Sequence, residues 1–387
     1  MSPSTRTRVG CALMALAAFA AAPAAGAAMQ EQAERAPACN RCKSQGVQPC
    51  KEHRGEAELE ANALYCSVAD GCEACGGTGF VPCPHCENEK ARSDLALRRS
   101  RIVPARERLA LLDREMGRTM RKAESERFVL VWEMTGMKVE KKRLDEHAML
   151  HLTLDRLERV YADYCATLAA RSFRKKVRVF VWYLPADQAN GALRFCGQGS
   201  GYGVKLMGDT PTYSVCGNSQ YFRGEEELHR NLVHSTAHLL FSHEDPSGWV
   251  GNQKGGWADE GLAHWFEQRY FGVCDNYCYQ EQNTNVDFKG GKFRSAVRKL
   301  VAAGEEPPVG EMLEKNTDTL TLPQHAVAMS YVDYLITLDG AKFGALGRLM
   351  RAKKPTREAI QEVYGFNVLE FERRWRAWVL ETYPVRE

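Results

Sequence analysis

Three absences narrow what this sequence can be. After residue 28 no apolar run approaches the roughly 20 residues that a membrane-spanning helix needs, so no later segment is expected to cross a bilayer. Charge of one sign is also scarce: 52 Lys and Arg against 49 Asp and Glu leave a formal net charge of +3. That near-balance leaves no electrostatic footprint for nucleic acid or an anionic membrane, and neither is expected as a partner. The third absence is local. In LVHSTAHLLF, residues 232–241, His234 and His238 stand four apart in an apolar, helix-favouring run, yet no carboxylate follows the first of them, because position 235 is Ser235.

With 387 residues and 44% hydrophobic content, the chain is long enough for one well-buried core and a smaller module. Its N-terminus, MSPSTRTRVGCALMALAAFAAAPAAGAA, sets two arginines before an apolar run and small residues around Ala25 to Ala28. This is the three-part layout of a secretory signal peptide over residues 1–28, which predicts export to a bacterial periplasm or beyond. An uncleaved anchor is the alternative. Cys11 precedes the apolar run instead of closing it, which argues against lipidation. Cleavage would remove Arg6 and Arg8 and no acidic residue, lowering the net charge by two to +1.

The 14 cysteines are unevenly spread, and their spacing contains a repeat. Residues 39–53 read CNRCKSQGVQPCKEH and residues 72–86 read CEACGGTGFVPCPHC, so that Gly46 falls over Gly79 and Pro49 over Pro82. Each repeat offers four donors at the spacing of a tetrahedral zinc site. One ion per repeat is the simplest arrangement, with Cys39, Cys42, Cys50 and His53 in the first and Cys72, Cys75, Cys83 and Cys86 in the second. Disulfides or a Cys-x-x-Cys redox pair would also suit an exported chain. A histidine at one ligand position favours metal, since a disulfide has no use for it. CEACGGTGF resembles the knuckle of the DnaJ-type cysteine-rich zinc domain, a family that interlaces ligands from non-adjacent knuckles, so pairing between the repeats stays open as an alternative. No J-domain sequence accompanies it, so a chaperone is not implied.

A charge-dense stretch follows, and ARERLALLDREMGRTMRKAESER predicts a solvent-facing helical linker over about 93–124, starting after Pro104 with Leu109, Leu111 and Leu112 as its one apolar face. The larger domain, 125–387, begins with strand candidates FVLVWEM (128–134) and VRVFVWYL (177–184), separated by an amphipathic helix over about 147–170; a weaker strand candidate lies near 211–217. Helical patterns dominate after Glu225. Strands first and then helices predict an α+β fold.

In a helix, His234 and His238 stack on one face and can converge on a single ion. A third ligand is offered by Glu260 in WADEGLAHWFE, residues 257–267. His-x3-His on one helix and Trp-x-x-Glu-Gly-Leu-Ala on the next resemble the gluzincin metallopeptidases, especially their peptidase-MA-like branch. The likeness runs over about 125–387, including the helical tail SYVDYLITLDGAKFGALGRLMRAKKPTREAIQEVYGFNVLEFERRWRAWV. It implies a zincin-like domain in which His234, His238 and Glu260 hold one zinc ion, beside two in the cysteine-rich module.

The same resemblance exposes two departures. The glutamate that takes a proton from metal-bound water in that family is Ser235 here, and a hydroxyl cannot accept that proton near neutrality. The tyrosine expected to stabilise the oxyanion aligns with His325, or one turn later with Tyr331 or Tyr334. These changes imply a pseudo-metallopeptidase that grips a peptide or protein in its cleft. The alternative is an active zinc hydrolase using another base, with Asp259 or His264 nearest. His264 could also be an extra ligand or a supporting neighbour. Six cysteines remain, Cys66, Cys165, Cys196, Cys216, Cys274 and Cys278, for which local pairing suggests Cys196 with Cys216 and Cys274 with Cys278.

Overall fold

The computed structural model describes residues 39–43, 45–52, 63–86, 88–171, 173–278 and 287–387. The expected signal peptide, Cys11 and His53 lie outside these described residues. Among the described residues ten strands occur in chain order: β1 Val47–Pro49, β2 Tyr65–Cys66, β3 Phe80–Pro82, β4 Lys122–Glu124, β5 Phe128–Glu133, β6 Met137–Val139, β7 Lys142–Leu144, β8 Val177–Trp182, β9 Gly203–Leu206 and β10 Thr212–Cys216. The α-helices are α1 Glu89–Met116, α2 Glu146–Leu168, α3 Pro185–Cys196, α4 Glu225–His243, α5 Gly256–Phe271, α6 Phe293–Ala303, α7 Val309–Met312, α8 Leu322–Arg351, α9 Thr356–Tyr364 and α10 Val368–Thr382. The chain is therefore mixed α/β, with all its described strands before its last seven helices.

Six strands form one sheet in the order β2-β4-β5-β8-β10-β9. The inner pairs β5/β8 and β8/β10 are parallel, and the flanking pairs are antiparallel. The uninterrupted apolar run of β5 has a direct cause: both faces of the strand are covered. Phe128, Leu130 and Trp132 point into the main core with Leu150, Leu154 and Leu232, while Val129 and Val131 point the other way. The second face is covered by α1 through Ile102, Ala105, Leu109, Leu112 and Met116.

That helix differs from the expected linker. It begins at Glu89, where the Asn88 side chain accepts the backbone N–H of Ala91, and Pro104 lies inside it. Leu109 and Leu112 are buried as expected, but Leu111 is 49% exposed. Apolar positions dispersed among many charges conceal a face that only the sheet reveals. No helix among the described residues is long and apolar enough to cross a membrane.

In the cysteine-rich module, β1 and β3 pair antiparallel with Val47 opposite Pro82 and Pro49 opposite Phe80. This pairing overturns the one-ion-per-repeat arrangement. Antiparallel strands set the start of the first repeat beside the end of the second, so Cys39 and Cys42 meet Cys83 and Cys86, while Cys50 meets Cys72 and Cys75. The candidate ligands are interlaced, the alternative that the DnaJ-type resemblance had left open.

The helical half packs around α4, α5 and α8. Of α4, nearly every residue from Leu228 onward is buried, and α5 is buried from Gly256 to Glu267. Such helices are apolar or polar according to what they touch, not to one outward face. Gly261 sits where α5 crosses α8: a Cβ there would lie 2.4 Å from the carbonyl oxygen of Ala328 and 2.7 Å from Val332. Gly261→Ala should therefore force the helices apart and lower stability by about 1–3 kcal/mol. Denaturant titration checks this, and an unchanged midpoint would show that the crossing can relax.

Candidate metal centre

The metal-type donors of α4 and α5 come together as the helical spacing requires. His234 and His238 are one turn apart, their ring centroids 4.8 Å from one another and their Nε2 atoms 3.1 Å apart. Glu260, one turn into α5, brings its carboxylate oxygens to 3.7 Å from His234 Nε2 and 3.6 Å from His238 Nε2. All three side chains are fully buried. The fourth donor was not among the expected ligands: the sulfur of Cys278 lies 3.6 Å from His234 Nε2 and 3.3 Å from His238 Nε2.

These separations can be compared with a coordination polyhedron. Zinc–nitrogen bonds of about 2.0–2.1 Å and a zinc–sulfur bond of about 2.3 Å give tetrahedral edges of about 3.4 Å between nitrogens and about 3.5 Å from nitrogen to sulfur. The observed edges of 3.1 to 3.7 Å bracket those values. Both oxygens of Glu260 are buried and lack a hydrogen-bond partner. A carboxylate in that condition is costly unless a cation accompanies it. The residues present thus fit a metal ion by donor geometry and by a buried carboxylate whose neighbours are imidazoles rather than a fixed cation.

A surrounding layer aims the ligands. His234 donates from Nδ1 to Glu267 Oε2 at 3.0 Å, which turns the lone pair of Nε2 toward the site. His238 Nδ1 lies 2.9 Å from Asp259 Oδ1, whose other oxygen accepts from Trp249 Nε1 at 2.7 Å and Thr317 Oγ1 at 3.0 Å. The Glu267–His234 pair has the form of a carboxylate–histidine relay, which would fix the tautomer and ring orientation of a metal ligand. The Asp259–His238 contact is an ion pair without hydrogen-bond alignment, and Asp259 is held through its other oxygen. His264 donates to Glu267 from Nδ1 at 2.6 Å, and its Nε2 is 3.0 Å from His325 Nδ1. It stands behind the ligands, with Nε2 3.6 Å from Glu260.

His325 is wholly buried, with Nδ1 3.3 Å from Glu260 Oε2. Tyr331 and Tyr334 pack against Phe371 instead. Ser235 is fully buried, and its hydroxyl has no partner. His229 lies against Phe271, and His243 is held by the backbone at Lys175 and Gly208.

Electrostatics agree with an anionic, cation-seeking pocket. Burial opposes ionisation of Glu260, yet His238, His325 and His234 around it hold it well below the ordinary carboxylate range. Glu267 is likewise resisted by burial but drawn down to about 2 by His234 and His264. Burial lowers His234; it also pulls on His238, where Asp259 and Glu260 win and leave the pKa raised.

Cys278 owes its place to a fastened loop. Arg230 Nε lies 2.8 Å from Asp275, Asn231 donates to Asn276 at 2.9 Å, and Asn276 in turn donates to Glu267. The expected local disulfides are not formed: Cys274 is not joined to Cys278, nor Cys196 to Cys216. Cys274 instead donates to the His264 carbonyl at 3.3 Å. The sequence offered Cys278 only as a partner for Cys274, with nothing to direct its thiol toward the histidines.

The cysteine-rich module has two further candidate centres. Cys39 and Cys83 are 3.9 Å apart and Cys42 and Cys86 2.9 Å apart, while Cys50 lies 3.9 Å from Cys72. The backbone N–H of Cys42, with help from Cys86, lowers the Cys39 thiol to about 6, in the direction of the thiolate that a metal takes. Burial pushes Cys50 up to about 11.

No family model matches this chain, and no curated protein matches it either, so its likeness to the gluzincins and to DnaJ-type zinc domains rests on these residues alone.

Glu267→Gln and Asp259→Asn leave all four donors in place but remove their orientation. Each should weaken metal binding at this centre by about 10–100-fold in chelator competition, whereas Ser235→Ala should not. Equal affinity in all three variants would remove the supporting role.

Proposed function

We propose that this chain is an exported, catalytically silent protein of zincin-like architecture, in which a zinc ion braces the fold and an adjoining groove binds an extended peptide. The carrying observation is the position of Cys278. Catalytic zinc sites keep three protein ligands and leave the fourth position for water; a structural site fills all four. His234, His238, Glu260 and Cys278 supply four. Ser235 agrees, since an admitted water would find a hydroxyl at the position where the resembled family carries its general base. A bound ion would neutralise Glu260 and tie α4, α5 and the loop to Cys278 into one unit.

The peptide reading is supported by the strand beside the centre. β9 is an edge of the large sheet. Cys216 donates to the carbonyl of Tyr202, so alternation along the antiparallel pair turns the N–H and C=O groups of Gly203 and Lys205 away from β10. An open groove lined by Gln198 to Met207, Trp249 and Asn252 runs along this edge. Lys205 reaches the metal centre, with Nζ 3.2 Å from Cys278 Sγ, and Trp249 reaches it through Asp259. An incoming segment could add as a further strand, taking affinity from backbone hydrogen bonds. Export is supported by the layout of residues 1–28, and intact mass of the protein recovered from cells should lack them.

Two assays test the reading. Against a broad peptide library the wild type should show no metal-dependent hydrolysis, and Ser235→Glu alone should remain silent because Cys278 still fills the open position; Ser235→Glu with Cys278→Ala should gain turnover. Wild-type turnover that persists in Ser235→Ala would instead establish a working hydrolase with another base. In display selection, bound peptides should be retained by Lys205→Ala and lost by Lys205→Pro, which deletes an outward N–H. Equal retention by both would sink strand addition.

A further inference from the structure

We propose a further metal site formed by Cys66, His147 and His151, at the junction between the cysteine-rich segment and the main core, which takes a borderline-soft transition-metal ion and keeps one coordination position open. Cys66 is on β2, and the two histidines are four residues apart on α2. Their donor atoms all lie within 4.8 Å of one another.

The geometry repeats that of the centre on α4. There the paired rings are 4.8 Å apart at 68° with Nε2 atoms at 3.1 Å. Here the rings are 4.6 Å apart at 57° with Nε2 atoms at 2.8 Å. In both places helical spacing stacks two imidazoles, their Nε2 atoms converge, and a cysteine from a different element comes up to the same point. Two imidazole nitrogens facing each other need either a proton or a cation between them, and a nearby thiol favours the cation.

The ion's class follows from the donors. One thiolate and two imidazoles suit zinc or copper and leave calcium and magnesium without the oxygen ligands they need. Cys66 and His151 are 5% and 3% exposed, while His147 is only half-buried. A cavity lined by Cys66, Thr78, Gly79, His147 and His151 adjoins the three donors and gives room for an exchangeable fourth ligand. An ion here would pin β2 to α2, beside Thr78 and Gly79 of the second cysteine repeat.

The test uses the full chain, loaded with zinc and dialysed, with metal-to-protein ratios measured by elemental analysis. Cys66→Ser and His147→Ala should each bind one ion fewer than wild type, with unchanged circular dichroism. Should Cys66→Ser not fold, His147→Ala, whose ring is half-exposed, carries the test. Combining His147→Ala with His234→Ala should remove two ions, which separates this site from the one on α4. With cobalt in place of zinc, azide should shift the visible bands of wild type and leave His147→Ala unshifted. An unchanged ratio in His147→Ala would mean that the pair is a histidine–histidine hydrogen bond and would overturn the site; a lowered ratio without an azide response would overturn its open position.

Discussion

A carboxylate with no hydrogen-bond partner, enclosed among helices and away from water, is the constraint on which the rest of this structure depends. Glu260 is such a group, and Asp259 and Glu267 add two more buried carboxyl groups within the same few ångströms. Burying three carboxyl groups together costs several kcal/mol each, which the surrounding histidines offset only in part. A divalent cation held here would resolve the conflict. It would accept the free oxygens, make use of the converging Nε2 atoms of His234 and His238, and account for the fastening of the loop after α5 so that Cys278 faces inward.

The fold can be understood as the frame that delivers those donors. α4 is buried nearly all round between the sheet and α5, which fixes the rotation of its histidines. α5 can approach α8 closely only because position 261 has no side chain, and that approach sets the depth of Glu260. On the other side, β10 and β9 carry Lys205 to Cys278. The groove and the metal centre are therefore mechanically continuous, and loss of the ion would be felt along the edge strand.

The sequence revealed what depended on local spacing. His234, His238 and Glu260 lie on helices whose periodicity aims them, and the strands at 128–133 and 177–182 were evident from unbroken apolar composition. Features set by tertiary pairing were hidden. Cys278 lies outside any helix or strand, with no periodicity to indicate where its thiol points. The interlacing of the knuckles was decided by strands only three residues long, too short to read, although the resemblance to DnaJ-type domains left that alternative open. The covered second face of the sheet was concealed because α1 mixes its buried leucines with many charges. His147 and His151 passed as part of an amphipathic helix, since their cysteine lies 81 residues before the first of them.

The centre on α4 makes one claim above the others, that a thiolate stands where a catalytic zinc would hold water. An anomalous difference map at the zinc edge from crystals of the full chain tests it directly. The account predicts one ion bonded to His234 Nε2, His238 Nε2, a Glu260 oxygen and Cys278 Sγ, the last at about 2.3 Å. An ion with water in place of the sulfur would contradict it, as would no anomalous peak among these four side chains.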